Sequence, residues 1–507
     1  MMNFSPVAAA LLAPIAGALI LIFLPKEERR LIRWTAAASM GIALALSVTA
    51  YFAYDFGKGG FQYMVNIPWV KDLGISLALG ADGLSLPMLL LTNLIGFSAV
   101  FASWNVEKRP KEFFILLLLL IAGVMGTFAA LDLFIFFLFY EVVVIPIYIM
   151  VIIWGSSKRV TKEYAGMKLT IYLLIGSAFL LVGLVALYLT AYPAGQRTFM
   201  MPALAQANFP ESFQIYCFAL LAFGFGSLLS MFPFHSWSPD GYAGAPTAVS
   251  MIHAGVLKKI GGYGLLRIGI LTLPLGAKFW APVIALLAVA NVAYAGFIAL
   301  AQKDLKYVVG YSSVSHMGYV LIGMAAMNVI GVNGAVANMF AHGVMSALFF
   351  AMIGCVYERT HTRWIPDLGG LGHQMPRVAT GMLLAGMAGL GLPGLVSFVP
   401  EFTIFIGSFK AYPVLAIVAI AGVVITALYT LRALANVLFG PRRSEFDACT
   451  DIKGPEMVPL AVLGAVLILA GMFPWYLMDM VNSGVQPIVD TVLAKINTIT
   501  ALGGGVK

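Results

Sequence analysis

The segment LFIFFLFYEVVVIPIYIMVIIWG, residues Leu133 to Gly155, carries one charge in 23 positions, that of Glu141. A run of this length and apolarity spans a hydrocarbon core of ~30 Å as a helix. A carboxylate well inside such a run is costly to insert, so it reads as a residue with a task. The stretch sets the fold class and the functional question together.

The rest of the chain repeats the pattern. It has 507 residues, 61% of them hydrophobic and 10% charged, with a mean hydropathy of +0.95. That composition excludes an ordinary soluble globular protein. Apolar periodicity predicts an all-α polytopic membrane protein of about 14 spans, at 5–24, 32–53, 83–104, 112–130, 132–154, 165–190, 212–233, 246–268, 277–299, 306–326, 330–356, 378–408, 412–438 and 457–478. A short tail helix is expected near 484–498, and no soluble domain. The first apolar run, Val7 to Leu24, has no basic residue before it, and Lys26, Arg29, Arg30 and Arg33 follow it. It reads as a span and not as a secretory signal. Cys217, Cys355 and Cys449 are isolated, which gives no iron–sulfur, zinc or haem-attachment pattern. The net charge of +8 fits basic loops on one membrane face better than a nucleic-acid partner.

Those loops set an orientation. Most of the 30 lysines and arginines follow odd-numbered spans, as in Lys108, Arg109 and Lys111, or Lys158, Arg159 and Lys162. The positive-inside rule puts that face in the cytoplasm and both termini outside it. Two spans contain helix breakers: SLLSMFPFHSW around Pro233, and GLGLPGLVSFVPEF around Pro393 and Pro400. Unwound backbone at membrane depth is tolerated only inside protein or beside a hydrated cavity. Two such breaks predict two related halves, approximately 112–268 and 277–438, in the manner of inverted repeats; plain proline kinks are the alternative. Gly389, Gly391 and Gly394 match G-x-G-x-x-G, but no strand precedes them and a proline interrupts, so they do not read as a dinucleotide site.

Few ionisable groups lie within the spans: Glu141, Lys168, Lys258, Lys259, Arg267, Glu401 and Arg432. Lys168, Arg267 and Arg432 are near span ends and read as snorkelling. The others sit deeper, where a charge costs about 2.5–3.5 kcal/mol on insertion scales, so they are expected to face the bundle interior. His235, His253, His316 and His342 lie in or beside spans. Carboxylates, lysines and histidines in line are the material of a proton relay, because each holds or releases a proton as its surroundings change. The plainer reading is ion pairing that pins helices, or, for the histidines, a bond to a backbone carbonyl. No pair of ligand types recurs at i, i+4, so a metal site is not expected.

Several stretches together resemble subunit M of NADH-quinone oxidoreductase, respiratory complex I, an antiporter-like membrane subunit family. They are GADGLSLPMLLLT (Gly80 to Thr92), FYEVVVIPIYIMVIIWG (Phe139 to Gly155), FPFHSWSPD (Phe232 to Asp240), APTAVSMIHAGVLKKIGGYGLLR (Ala245 to Arg267), QKDLKYVVGYSSVSHMGYVLIG (Gln302 to Gly323), AHGVMSALFF with YERTHTR (Ala341 to Arg363) and GLPGLVSFVPEF (Gly391 to Phe402). The resemblance implies two inverted five-helix repeats and one proton path along a central polar axis. It implies no redox cofactor in this chain. NADH and quinone would be handled by partner subunits, and the neighbours would be other membrane subunits, including antiporter-like siblings, in the cell inner membrane. Matched position by position, Glu141, Lys259 and Glu401 fall on the family's residues of the fifth, eighth and twelfth helices, with His316 and His342 between.

One departure stands out. The family usually reads K-x-P-x-F-P-F-H-x-W-L-P-D-A-H, with a lysine on the broken seventh helix paired to the glutamate. Here that lysine is Leu228, the first proline is Ser230, and the following His and Glu are Tyr242 and Gly244. Counting from a turn near Gly241, His253 and Lys258 on the eighth helix fall near the depth of Leu228, and one or the other is expected to supply the missing cation; the alternative is that Lys258 snorkels or pairs with a neighbouring subunit. Adjacent residues point ~100° apart on a helix, so Lys258 and Lys259 are expected to face different neighbours. The competing readings are the homologous subunit of a multisubunit cation/proton antiporter or of a membrane-bound hydrogenase, and a scaffold subunit that has lost pumping.

Overall fold

The computed structural model describes residues 5–156 and 160–502; Lys158 and Arg159 lie outside them. Among the described residues, 11 helices are long and apolar enough to cross a membrane. Three further expected spans are also helical but broken or more polar: Leu305–Ala325, the segment from Thr247 to Ile270, and 378–408. The loops carrying Lys108, Lys162, Arg363 and Arg443 gather at one end of the bundle. Trp154 Nε1 donates to Lys108 O, Arg363 to Ser156 O and Arg443 to Asp367 O. This end is the basic face.

The expected loop at 54–82 contains an antiparallel hairpin, Gln62–Val70 against Ile75–Ala81. Its residues are too polar and too few for a span, yet rich in β-branched and aromatic types that suit a strand. Asp132, the N-cap of helix Leu133–Trp154, accepts from Ser76 N at 3.0 Å and from Phe134 N at 2.8 Å. The hairpin and the helix bearing Glu141 are therefore fixed by one carboxylate. The tail helix is longer than expected, Trp475–Leu502. It runs along the end opposite the basic face, where Asn333 Nδ2 donates to Asn482 Oδ1 at 2.7 Å.

Both breaks are present. Helix Glu211–Leu229 ends where Ser230 adopts φ 65°, and the chain resumes as helix Trp237–Gly244. Freed backbone groups inside a bundle need partners. Asn291 supplies two, accepting from Phe232 N at 2.5 Å and donating to Ser230 O at 3.0 Å, and Trp237 Nε1 donates to Ser227 O at 3.0 Å. The second break separates Pro376–Gly389 from Phe398–Ala411. Gly391 has φ +66°, and a Cβ there would stand 2.7 Å from Glu401 Oε2; this explains the glycine without any nucleotide. Each break falls in the fourth helix of five: Pro110–Ala129 begins the first set and Pro274–Ala301 the second.

Two charges expected to snorkel do not. Arg267 is buried, and its Nη2 donates to Asp82 Oδ1 and Oδ2 at 2.6 and 2.5 Å. Lys168 pairs with Asp240 at 2.7 Å. Their positions near span ends suggested snorkelling, but each has a carboxylate from a neighbouring element within reach. Removing one member of a buried pair costs about 3–5 kcal/mol because the other charge is left uncompensated. Asp82→Asn is therefore expected to lower the stability of the detergent-solubilised protein by about that amount, read as earlier thermal unfolding. Asp82→Leu with Arg267→Met recovers most of the loss. An Asp82→Asn protein as stable as the wild type contradicts the assignment.

Candidate functional site

The segment from Thr247 to Ile270 is one helix with two wide, π-type turns, at His253–Leu257 and Leu265–Ile270. Such turns re-aim side chains and often occur at functional positions. The first ends at Leu257, just before Lys258. From there the two lysines diverge, as their spacing predicts. Both are fully buried.

Lys259 points to helix Val329–Thr360. Its Nζ donates to Ala254 O and lies 2.9 Å from His342 Nδ1. The rings of His342 and His316 have centroids 5.3 Å apart. His316 sits on helix Leu305–Ala325 with Nδ1 2.8 Å from Ser312 O and Nε2 3.1 Å from Gly389 O. The same Nε2 is 3.7 Å from Glu401 Oε1. Glu401 Oε1 and His342 Nε2 make no hydrogen bond. The structure thus brings Lys259, His342, His316 and Glu401 into one buried line. Three helices, Thr247 to Ile270, Leu305–Ala325 and Val329–Thr360, and helix Phe398–Ala411 beyond the second break contribute to it.

Lys258 takes the other direction. Its Nζ is 3.3 Å from Ser313 Oγ and 5.1 Å from the centre of the Tyr242 ring. His253 packs its ring against Trp237 and Tyr242, at 5.0 and 5.3 Å between centroids. Both of its nitrogens are buried without a partner, at a cost of about 1–3 kcal/mol for each unsatisfied group. Both side chains therefore face the second half of the broken helix, not Leu228. The count from Gly241 missed because helix Trp237–Gly244 continues past that glycine and turns at Ala245. Leu229 instead lies beside Gly261, whose Cβ would stand 2.9 Å from Leu229 N.

Glu141 corrects an expectation. It does not join the buried line. It is half-buried, its Oε1 has no hydrogen-bond partner, and it lines a groove of about 660 Å³ between helices Leu133–Trp154 and Lys162–Ala191. Phe137, Leu138, Ile145, Thr170 and Leu174 share the lining, and Ile145 is 64% exposed. Position in the motif suggested an inward carboxylate. With Leu228 in place of a lysine, no cation on the broken helix draws it inward.

Other polar groups at the site carried little signal in the sequence. Asp240 joins Lys168 to Tyr307, whose hydroxyl donates at 2.8 Å. Lys306 is buried, donating to Ala245 O at 2.6 Å and lying 3.2 Å from Ser250 Oγ. Asp304 binds Arg363 at 2.9 Å. Among the described residues no group of three or more His, Cys, Asp and Glu side chains converges as metal ligands do.

Comparison with known proteins agrees with the motifs. The family described as NADH:quinone oxidoreductase/Mrp antiporter, TM, matches residues 130–426. An NAD(P)H-quinone oxidoreductase chain 4 of Microcystis aeruginosa is 36% identical over 93% of this chain and 90% of its own. One from a Picosynechococcus species is 38% identical over 92% and 88%. Among solved structures, a chain of respiratory complex I from Thermus thermophilus superposes with TM-score 0.88 at 27% identity, covering 96% of this chain and 99% of that one. A chain of the Mrp complex from a Dietzia species shares the fold, with TM-score 0.85, 21% identity, and coverage of 97% and 100%. The relatives named as oxidoreductase chains extend over nearly the whole sequence, and the buried line falls within the matched family region. The chain belongs to the NADH:quinone oxidoreductase/Mrp antiporter transmembrane family, as an antiporter-like membrane subunit of the complex I type.

Proposed function

We propose that this chain translocates protons as a subunit of a complex I-type quinone oxidoreductase, and that Lys259, His342, His316 and Glu401 carry them. The observation behind the reading is the run of proton-binding side chains from Lys259 Nζ to Glu401 Oε1, with contacts of 2.9 and 3.7 Å at its two ends. Each group can hold a proton or give one up as its surroundings change. The two histidine rings pack against each other at 5.3 Å between centroids. Electron transfer, NADH and quinone belong to partner subunits, with antiporter-like siblings alongside in the inner membrane. The basic face lies in the cytoplasm and both termini on the other side. The recurrence of a break in the fourth helix of each five-helix set supports inverted repeats over 112–268 and 277–438.

Lys258 and His253 compensate for Leu228 by serving the second half of the broken helix. Burial of Lys258 supports this against a lipid-facing role. Glu141 works through a neighbouring chain that closes its groove. The scaffold reading draws on the same two features, Leu228 and an unpaired Glu141.

Three variants in inverted membrane vesicles separate these readings. Lys259→Met is expected to lower donor-driven proton uptake by about a hundredfold or more, the scale of a lost acid–base group, with the complex still assembled. Uptake at the wild-type rate contradicts the relay and favours the scaffold. Lys258→Ala with His253→Ala is expected to abolish uptake, and Leu228→Lys on that background to restore part of it. A double variant at full rate removes the compensation and leaves the Lys259 line standing.

A further inference from the structure

A cavity of about 340 Å³ opens at the basic face, lined by Lys303, Ile365, Tyr429, Arg432, Asn436 and Arg443. It has room for several water molecules. Tyr429 is its inner wall and is itself 3% exposed. The Tyr429 hydroxyl donates to Ser312 Oγ at 2.8 Å, and Ser312 Oγ lies 3.4 Å from His316 Nδ1. His316 Nε2 in turn lies 3.7 Å from Glu401 Oε1. Hydroxyl, hydroxyl, imidazole and carboxylate thus form one series from the cavity to the end of the buried line. Tyr429 and Ser312 come from helices Pro413–Leu438 and Leu305–Ala325.

We propose that Tyr429 and Ser312 form the proton inlet from the basic face to His316, on which the Lys259–His342 segment and Glu401 both draw. The inference rests on the relay proposed above. The step balances as a proton transfer with no other bond changed. Ser312 O–H gives its proton to His316 Nδ1, and Tyr429 O–H replaces it on Ser312. Water in the cavity reprotonates the phenol. His316 releases the proton on Nε2 to the Glu401 carboxylate, so one proton leaves the cavity and one arrives at Glu401. A hydroxyl both donates and accepts, which is what each of these two positions requires. The carbonyl of Ser312, 2.8 Å from Nδ1, accepts from Nδ1–H once the proton has arrived and so holds the protonated ring. The purely architectural alternative is that Tyr429 ties the two helices together.

Tyr429→Phe and Ser312→Ala each remove one hydroxyl and leave the packing nearly intact. Both are expected to lower proton uptake in vesicles carrying the whole complex by about tenfold, with the amount of assembled complex unchanged. Ser312→Thr keeps the hydroxyl and is expected to keep the rate. A structural tie at Ser312 moves assembly and stability, not the contrast between the Ala and Thr variants. If Tyr429→Phe disturbs assembly, that Ala/Thr contrast alone decides. Equal uptake in Ser312→Ala and Ser312→Thr overturns the inlet. His316→Leu, run alongside, separates the two proposals. If it abolishes uptake while Ser312→Ala runs at full rate, the relay stands and the inlet is wrong. If it too runs at full rate, the relay itself is wrong.

Discussion

The bond between His316 Nε2 and the carbonyl of Gly389, at 3.1 Å, ties the fold to the site. Gly389 is the last residue of helix Pro376–Gly389, and beyond it the backbone unwinds. A carbonyl freed in a bundle interior must find a donor. Here the donor is a titratable ring. The same ring edge faces Glu401 at 3.7 Å, on the far side of the break. The break therefore creates an acceptor that fixes the histidine and, with Gly391, leaves space for the carboxylate. Without the unwound segment, neither group would be held where it is.

The first half of the chain answers the same constraint differently. Its break is closed by Asn291 and Trp237, two groups that do not titrate. Leu228 is buried close by, where the family pattern has a lysine. On the neighbouring helix a π-type turn sends Lys258 toward Tyr242 and Ser313 while Lys259 points toward His342. Glu141 is left on an apolar groove. An unpaired carboxylate on a surface that meets lipid or a neighbour is unfavourable unless something covers it. Asp82 with Arg267, and Lys168 with Asp240, show the opposite solution, in which each charge has its own counter-ion.

The sequence made the spans, both breaks and the four groups of the buried line legible. Hydropathy carries the first, proline and glycine the second, and the rarity of charge among apolar residues the third. It did not disclose the hairpin at 62–81, whose alternation is masked by short length and mixed polarity. It misjudged Glu141, because a charge within a span says that it must be satisfied but not by whom. It misjudged Arg267 and Lys168, whose partners Asp82 and Asp240 are far away in sequence. Tyr429 and Ser312 gave no signal at all. A tyrosine and a serine in apolar helices are common, and only the packing of helices Pro413–Leu438 and Leu305–Ala325 makes them neighbours.

The central claim is that protons reside on His316 and Glu401 during turnover. Infrared difference spectroscopy of the intact complex, with and without electron donor, reads this directly. The account predicts a carboxylic-acid C=O band that appears on turnover and is lost in Glu401→Gln, together with imidazole bands that shift on histidine isotope labelling and vanish in His316→Leu. A difference spectrum from an active, pumping complex that is unchanged by both substitutions would contradict it.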